Sequence, residues 1–374
     1  MSITHSTVKA PGDRGYADDW NADHVVTDES KPKNFTTLIV AASNSLDTTR
    51  ADYVCDGVDD QDEINAAISA LPVQGGRVSL LEGTYQITDS IVFDKDNVTL
   101  QGVGIASRIQ TVEDIKMLTA TSKSDIGIMN LWIEGIVSQL NNYAVWFETT
   151  DNVLITECLI QNSGATNIFF SVSTKNTIIS NNFILSAVRI GVAIASSSKT
   201  TIENNIISDN GNEGIAVSNS ENILINSNLI KSNGFDGILL FQNSNNSAVV
   251  GNVCTDNGLV MTYSGIHLAD SNGCTVIGNI SYNNGFHGIE LYDFDDSSIN
   301  GNTTRNNAHD GMNITNTDNS IFSANRSGGN GGYGVNIVDV GSDNNIVVSN
   351  NLLGNTTGSL SDSGTGTEAA HNKV

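Results

Sequence analysis

Three of the six histidines, His267, His287 and His309, fall in one stretch of the chain together with Glu290, Tyr292 and Asp310. An imidazole and a phenol can take a proton from one side of a substrate and return one from another. Two carboxyl groups held about 5–9.5 Å apart can instead hydrolyse a glycosidic bond, and Glu290 with Asp310 is the first pair to consider. Asp236 or Asp293 with Glu290 would serve the same chemistry. Phe235, Phe241, Tyr263 and Phe286 supply aromatic walls of the kind a sugar ring stacks upon, and His309, Asp293, Asp236 and Asn313 border the group. No phosphate loop, dinucleotide fingerprint, paired-cysteine metal motif or nucleophile elbow is present.

These residues share a face only if the chain repeats. Gly191, Gly214, Gly237, Gly265, Gly288, Gly311 and Gly334 recur about every 23 residues, each followed by an apolar-polar-apolar run. Asn182, Asn205, Asn228, Asn252, Asn279, Asn302, Asn325 and Asn350 keep step with them. Two or three short strands per repeat, with no helical period, predict an all-β fold: a single-stranded right-handed parallel β-helix. The asparagines are expected to stack inside a turn and bond the backbone of neighbouring coils.

The coils lie about 4.8 Å apart, so equivalent positions become neighbours. One place before each glycine stand Glu213, Asp236, Ser264, His287, Asp310 and Tyr333. Two places after stand Ala216, Leu239, His267, Glu290, Asn313 and Asn336, and four places after stand Ser218, Phe241, Ala269, Tyr292, Thr315 and Val338. Leu259–Thr262 lengthens one turn beside this patch and is expected to form the lip of a groove.

Ahead of the coils, Asp56–Glu63 followed by Ile64, Ala67, Ile68 and Leu71 predicts an amphipathic capping helix over about 60–72, with Asp59 and Asp60 as its caps. Residues 1–35 read as an N-terminal arm anchored by Trp20, 36–354 as the β-helix, and the Gly-, Ser- and Thr-rich stretch 355–374 as a flexible tail. Cys55, Cys158, Cys254 and Cys274 have no metal-ligand spacing and are expected to be free thiols. A net charge of −24 disfavours nucleic acid and anionic membrane as partners. The start Met1–His5 has no secretory signal, which points to a virion-associated protein or one released by a non-classical route, and otherwise to the cytoplasm.

The run Asp56-Gly57-Val58-Asp59-Asp60 with Gly83-Thr84-Tyr85 resembles the N-terminal cap of pectate-lyase-like β-helices. Asn233-Gly234-Phe235-Asp236-Gly237-Ile238 and Phe286-His287-Gly288-Ile289-Glu290-Leu291 resemble repeat units of mannuronan C5-epimerase catalytic modules. Trp20-Asn21-Ala22-Asp23-His24 resembles N-terminal segments of phage tail and virion-associated proteins. The epimerase family's Tyr-Gly-Phe-Asp-Pro-His run is absent, and its lysine has no match; His287, Glu290 and Tyr292 occupy the corresponding slots of one coil.

The resemblance implies a polysaccharide-active protein and leaves three readings. The first is removal of the C5 proton from a uronic-acid polymer such as alginate or pectate, as epimerase or lyase. His287 or His267 would be the base and Tyr292 the acid, with the carboxylate neutralised by His267, Arg305 or a calcium ion held by Asp293 and its neighbours. The second is a glycoside hydrolase using Glu290 and Asp310; the third is a non-catalytic glycan-binding virion protein. No organic cofactor is expected, and the assembly is a monomer or a virion-type trimer.

Overall fold

The computed structural model describes residues 36–258 and 262–374; further upstream it describes only the antiparallel backbone pairing of Thr4–His5 with His24–Val25. The arm over 1–35, its Trp20 anchor and the lengthened turn at 259–261 otherwise lie outside the described residues. The rest is a right-handed parallel β-solenoid of about 12 turns. Its coils build three parallel sheets of 12, 15 and 11 strands. A representative coil gives Ile215–Ser218 to the first sheet, Leu224–Asn226 to the second and Leu229–Lys231 to the third, then returns as Ile238–Phe241 beside its own start.

Each strand of the first sheet alternates. Ile238 and Leu240, Ile266 and Leu268, and Ile289 and Leu291 are buried, while His267 and Glu290 between them face outward. Burying one such aliphatic side chain stabilises by about 1.5–3 kcal/mol. The repeat glycines stand where a coil turns onto the first sheet. A Cβ on Gly237 would sit 2.5 Å from the carbonyl oxygen of Gly265, so nothing larger fits without moving backbone.

The expected asparagine ladder runs through the turn between the second and third sheets. Asn182 Nδ2 donates to Asn205 Oδ1 at 3.0 Å, Asn205 to Asn228 at 3.0 Å and Asn228 to Asn252 at 3.0 Å, and the same oxygens accept the backbone N–H of the preceding rung. Cys158 occupies this slot one coil earlier, its N–H donating to Asn182 Oδ1. A second ladder, not anticipated from the sequence, is formed by the asparagine that stands ahead of each repeat glycine: Asn210, Asn233, Asn257, Asn284, Asn307, Asn330 and Asn355.

The helix forms over Gln61–Ala70 and covers the open end of the solenoid with Ile64, Ala67 and Ile68. Asp60 takes the N-cap position but does not cap the helix with its side chain. Its carboxylate instead accepts the N–H groups of Gly57 and Gln86 at 2.8 and 2.7 Å, and Asp59 accepts the Thr88 hydroxyl. The two acids fasten the helix to the first coil. All four cysteines are free and buried, and burial pushes their thiols up, that of Cys158 to about 12.

The composition of 355–374 predicts a loose tail, but the chain completes another coil. Gly358–Asp362 pairs with Tyr333–Ile337, and Glu368–Ala370 pairs with Ile346–Val348. Asn355 and Asn372 extend the two ladders into it, so small polar residues serve here as turn residues.

Replacing Asn228 by Ala removes one rung and strands the Asn205 N–H and Nδ2 inside the turn. A loss of about 2–3 kcal/mol in urea unfolding is expected. Asn372→Ala, at the half-buried last rung, should cost clearly less in the same experiment.

Candidate active site

The first sheet brings most of the candidate residues together. Its register aligns Leu239, His267, Glu290, Asn313 and Asn336 on successive coils, and Ala269, Tyr292 and Thr315 two residues further along. At the entry to these strands Asp236, Ser264, His287, Asp310 and Tyr333 form a third row, linked through backbone hydrogen bonds from the repeat glycines.

Asp236 is buried and organises the upstream half. Its Oδ1 accepts the Ser264 N–H at 2.6 Å, and its Oδ2 lies 3.3 Å from His267 Nδ1. The Ser264 hydroxyl donates to Glu290 Oε2 at 2.7 Å. Burial by itself lowers the His267 pKa, but the hydrogen bond and charge of Asp236, with Glu290 and Asp270 nearby, outweigh it and raise it above the ordinary 6.5. With Nδ1 turned to Asp236, Nε2 is the nitrogen left for the open face, where His267 keeps 27% of its side-chain surface.

The downstream half is closed. His287 is 3% exposed, and burial lowers its pKa to about 4. Its Nδ1 accepts the Asp310 N–H at 3.2 Å, so the ring is neutral there and makes no ion pair with the Asp310 carboxylate at 3.5 Å. Asp310 accepts the Tyr333 N–H at 2.6 Å and the amides of Asn336 and Asn313 at 3.1 and 3.2 Å. Burial pushes its pKa up, but these donors outweigh it and hold it below the usual carboxylate range. Asp310 is thus saturated and a poor proton donor, which removes it as the acid of a hydrolytic pair with Glu290. His287, sealed beneath Phe286 with ring centroids 3.8 Å apart, is poorly placed as a base.

The aromatic walls divide. Phe235 and Tyr263 stack on each other at 4.3 Å, while Phe286 packs on His287 and on His309 at 4.9 Å. Phe241 ends its strand next to Ser218, and Tyr292 is 47% exposed. Asp293, just past the strand end, accepts the Asn316 amide; burial and the carboxylates of Asp270, Asp295 and Asp339 raise its pKa. Arg305 does not reach the patch. Its strand, Thr303–Arg305, belongs to the third sheet, and its guanidinium lies over the Tyr282 ring at 4.7 Å.

The structure also adds residues. Glu213, one coil before Asp236 in the entry row, has its pKa raised by burial and by the Asp236 charge, and Ser264 and Asn336 fix the neighbouring carboxylates. Glu213 was visible only as a member of that row.

A family profile described as "Right handed beta helix region" matches residues 119–260, and one described as "Periplasmic copper-binding protein (NosD)" matches 251–372. Among curated proteins no sequence matches. Among solved structures the chain is similar to the A-module of mannuronan C-5 epimerase AlgE6 of Azotobacter vinelandii, at 20% identity and TM-score 0.74, covering 84% of this chain and 96% of that one. The AlgE4 A-module of the same organism gives 19% identity and TM-score 0.73, covering 85% and 96%. The Dettilon tailspike protein gives 16% identity and TM-score 0.54, covering 80% and 64%. At these identities the likeness is one of fold.

A resident copper ion would need histidine or cysteine donors converging within residues 251–372. His287, His309 and Asp310 offer ligand atoms within 4.8 Å of one another. His287 Nδ1 and the Asp310 carboxylate are already engaged by backbone and amide donors, so the trio does not fit a resident copper ion.

Proton NMR should find His267 titrating above 6.5 and His287 neutral down to about pH 4. Asp236→Asn removes the largest of the raising influences and should lower the His267 pKa. Unfolded His287 takes its proton near 6.5, whereas the folded group waits until about 4, so folding should lose stability as pH falls through that window.

Proposed function

We propose that the chain is a polysaccharide-active enzyme that removes the C5 proton of uronic-acid residues in an alginate- or pectate-like polymer, as an epimerase or lyase. The observation that carries this reading is His267: oriented by Asp236, raised in basicity and open at Nε2, one coil from the exposed Tyr292. The two side chains project from one face, on adjacent coils and two residues apart in register, about 8 Å between Cα atoms.

His267 Nε2 takes the C5 proton, and the electron pair moves into the adjoining carboxylate as an enediolate. Epimerisation follows when the Tyr292 hydroxyl returns a proton to C5 from the opposite side. Elimination follows when that proton goes to the departing O4 and the electron pair closes a double bond between C4 and C5. Either path needs the substrate carboxylate to be relieved of charge. With Arg305 on another sheet, neutral donors such as Asn313 serve that task, and Asp270 and Asp293 would hold a calcium ion that, when bound, would neutralise the carboxylate. The likeness to structures titled mannuronan C-5 epimerases agrees with this chemistry.

One observation favours a second reading, glycoside hydrolysis. Glu213 is kept protonated more readily than an ordinary glutamate and stands one coil from Asp236, a separation of about 5 Å between backbone positions.

Purified protein incubated with alginate, pectate and neutral glycans separates these readings. Proton abstraction gives an ultraviolet-absorbing unsaturated uronate, or an NMR change without chain cleavage, on an activity that rises with pH through the His267 titration. His267→Ala should lower it by about 10²–10⁴-fold. Reducing ends without absorbance, abolished by Glu213→Gln, would replace it with hydrolysis. Silence on every polymer would leave glycan binding alone.

A further inference from the structure

Only three lysines or arginines follow Gly237, namely Arg305, Arg326 and Lys373, and all three lie on one side of the solenoid. The third sheet pairs Thr303 with Arg326 and Arg305 with Gly328, and isolated bridges carry the first row on from Arg326 to Asn351 and Lys373. Arg305 and Arg326 therefore stand on adjacent coils two residues apart, about 8 Å between Cα atoms, with Lys373 two coils beyond Arg326 at about 10 Å.

Between the arginines the surface sinks into a depression of about 660 Å³. Gly328 leaves its floor without a side chain, and Thr303, Asn306 and Asn351 add polar groups. No carboxylate lines it, in a protein of net charge −24. Among the described residues neither arginine has a carboxylate within ion-pair distance. The Arg305 guanidinium is held over the Tyr282 ring, which restricts its motion and leaves its edge free to donate.

We infer that this depression is an oxyanion-binding site that takes the carboxylates of an acidic polysaccharide, separate from the patch on the first sheet. A guanidinium donates two parallel hydrogen bonds to a carboxylate or a sulfate, and two of them flanking an acid-free hollow form a complete recognition unit for such a group. Lys373, further along the axis in the Arg326 row, extends the cationic track for a chain lying lengthwise. The identity of the polymer rests on the proposed function; the site does not.

The test is titration of the full chain with a galacturonate hexamer and, separately, with inorganic sulfate, followed by calorimetry and by the arginine Nε–H signals in nitrogen-15 NMR. The hexamer should shift the Arg305 and Arg326 signals. Arg305→Gln and Arg326→Gln should each weaken its binding about tenfold, while Arg326→Lys, which keeps the charge and loses the fork, should weaken it by less. His267→Ala should leave those shifts in place, so that loss of turnover and loss of this site are read apart. Unmoved guanidinium signals, or Gln variants that bind like the parent, would overturn the site. Shifts with sulfate and none with the hexamer would overturn its assignment to a polymer.

Discussion

Everything in this molecule depends on each coil lying in register upon the one before it. A parallel β-solenoid has few local contacts to hold its turns, and the turns bury backbone groups that no sheet can satisfy. The asparagine ladders answer both demands. Each side-chain oxygen accepts the backbone N–H and the amide of the preceding rung, and each Nδ2 also reaches a backbone carbonyl, as Asn205 does with Ile179 at 2.9 Å. Register is thereby set by a column of identical side chains, and the outward faces are left to vary.

That freedom is what the first sheet uses. From Ile238 to Ile337 its inward positions remain Ile, Leu, Val or Met, while the outward row passes from Leu239 to His267, Glu290, Asn313 and Asn336. The functional contrast within the patch comes from how each acid is satisfied. Asp236 spends one oxygen on a backbone N–H and has the other for His267, whereas Asp310 is bound on both oxygens and serves as a fixed post. Two aspartates in the same row of the repeat thus do different work because Leu239 and His267 stand at the positions beside Asp236 that Asn313 and Asn336 hold beside Asp310.

The repeat was legible because Gly and Asn are each required by geometry, so their spacing alone placed His267, Glu290 and Asn313 in one row. Burial and saturation were not legible. The donors that quiet Asp310 come from the following coil, from the Tyr333 backbone and Asn336, and a cluster of histidines in sequence says nothing about which of them is sealed beneath Phe286. Arg305 misled because six residues lie between it and Met312, enough to carry the chain around a corner onto another sheet. Residues 355–374 misled because the Gly, Ser, Thr and Asn of a flexible tail are also the turn vocabulary of a coil.

The ladders also have a direction. Every rung from Asn182 to Asn350 passes one Nδ2–H forward to the oxygen of the next rung and the other back to a carbonyl of the coil before, as Asn182 does to Ile155. The column therefore has a direction: it begins inside the solenoid at Cys158, which hands over only a backbone N–H, and runs to Asn372, whose Nδ2 donates to the Val347 carbonyl. One flipped amide would set an NH2 group against two donors of the rung before it, so the orientation of each rung is enforced by its neighbours.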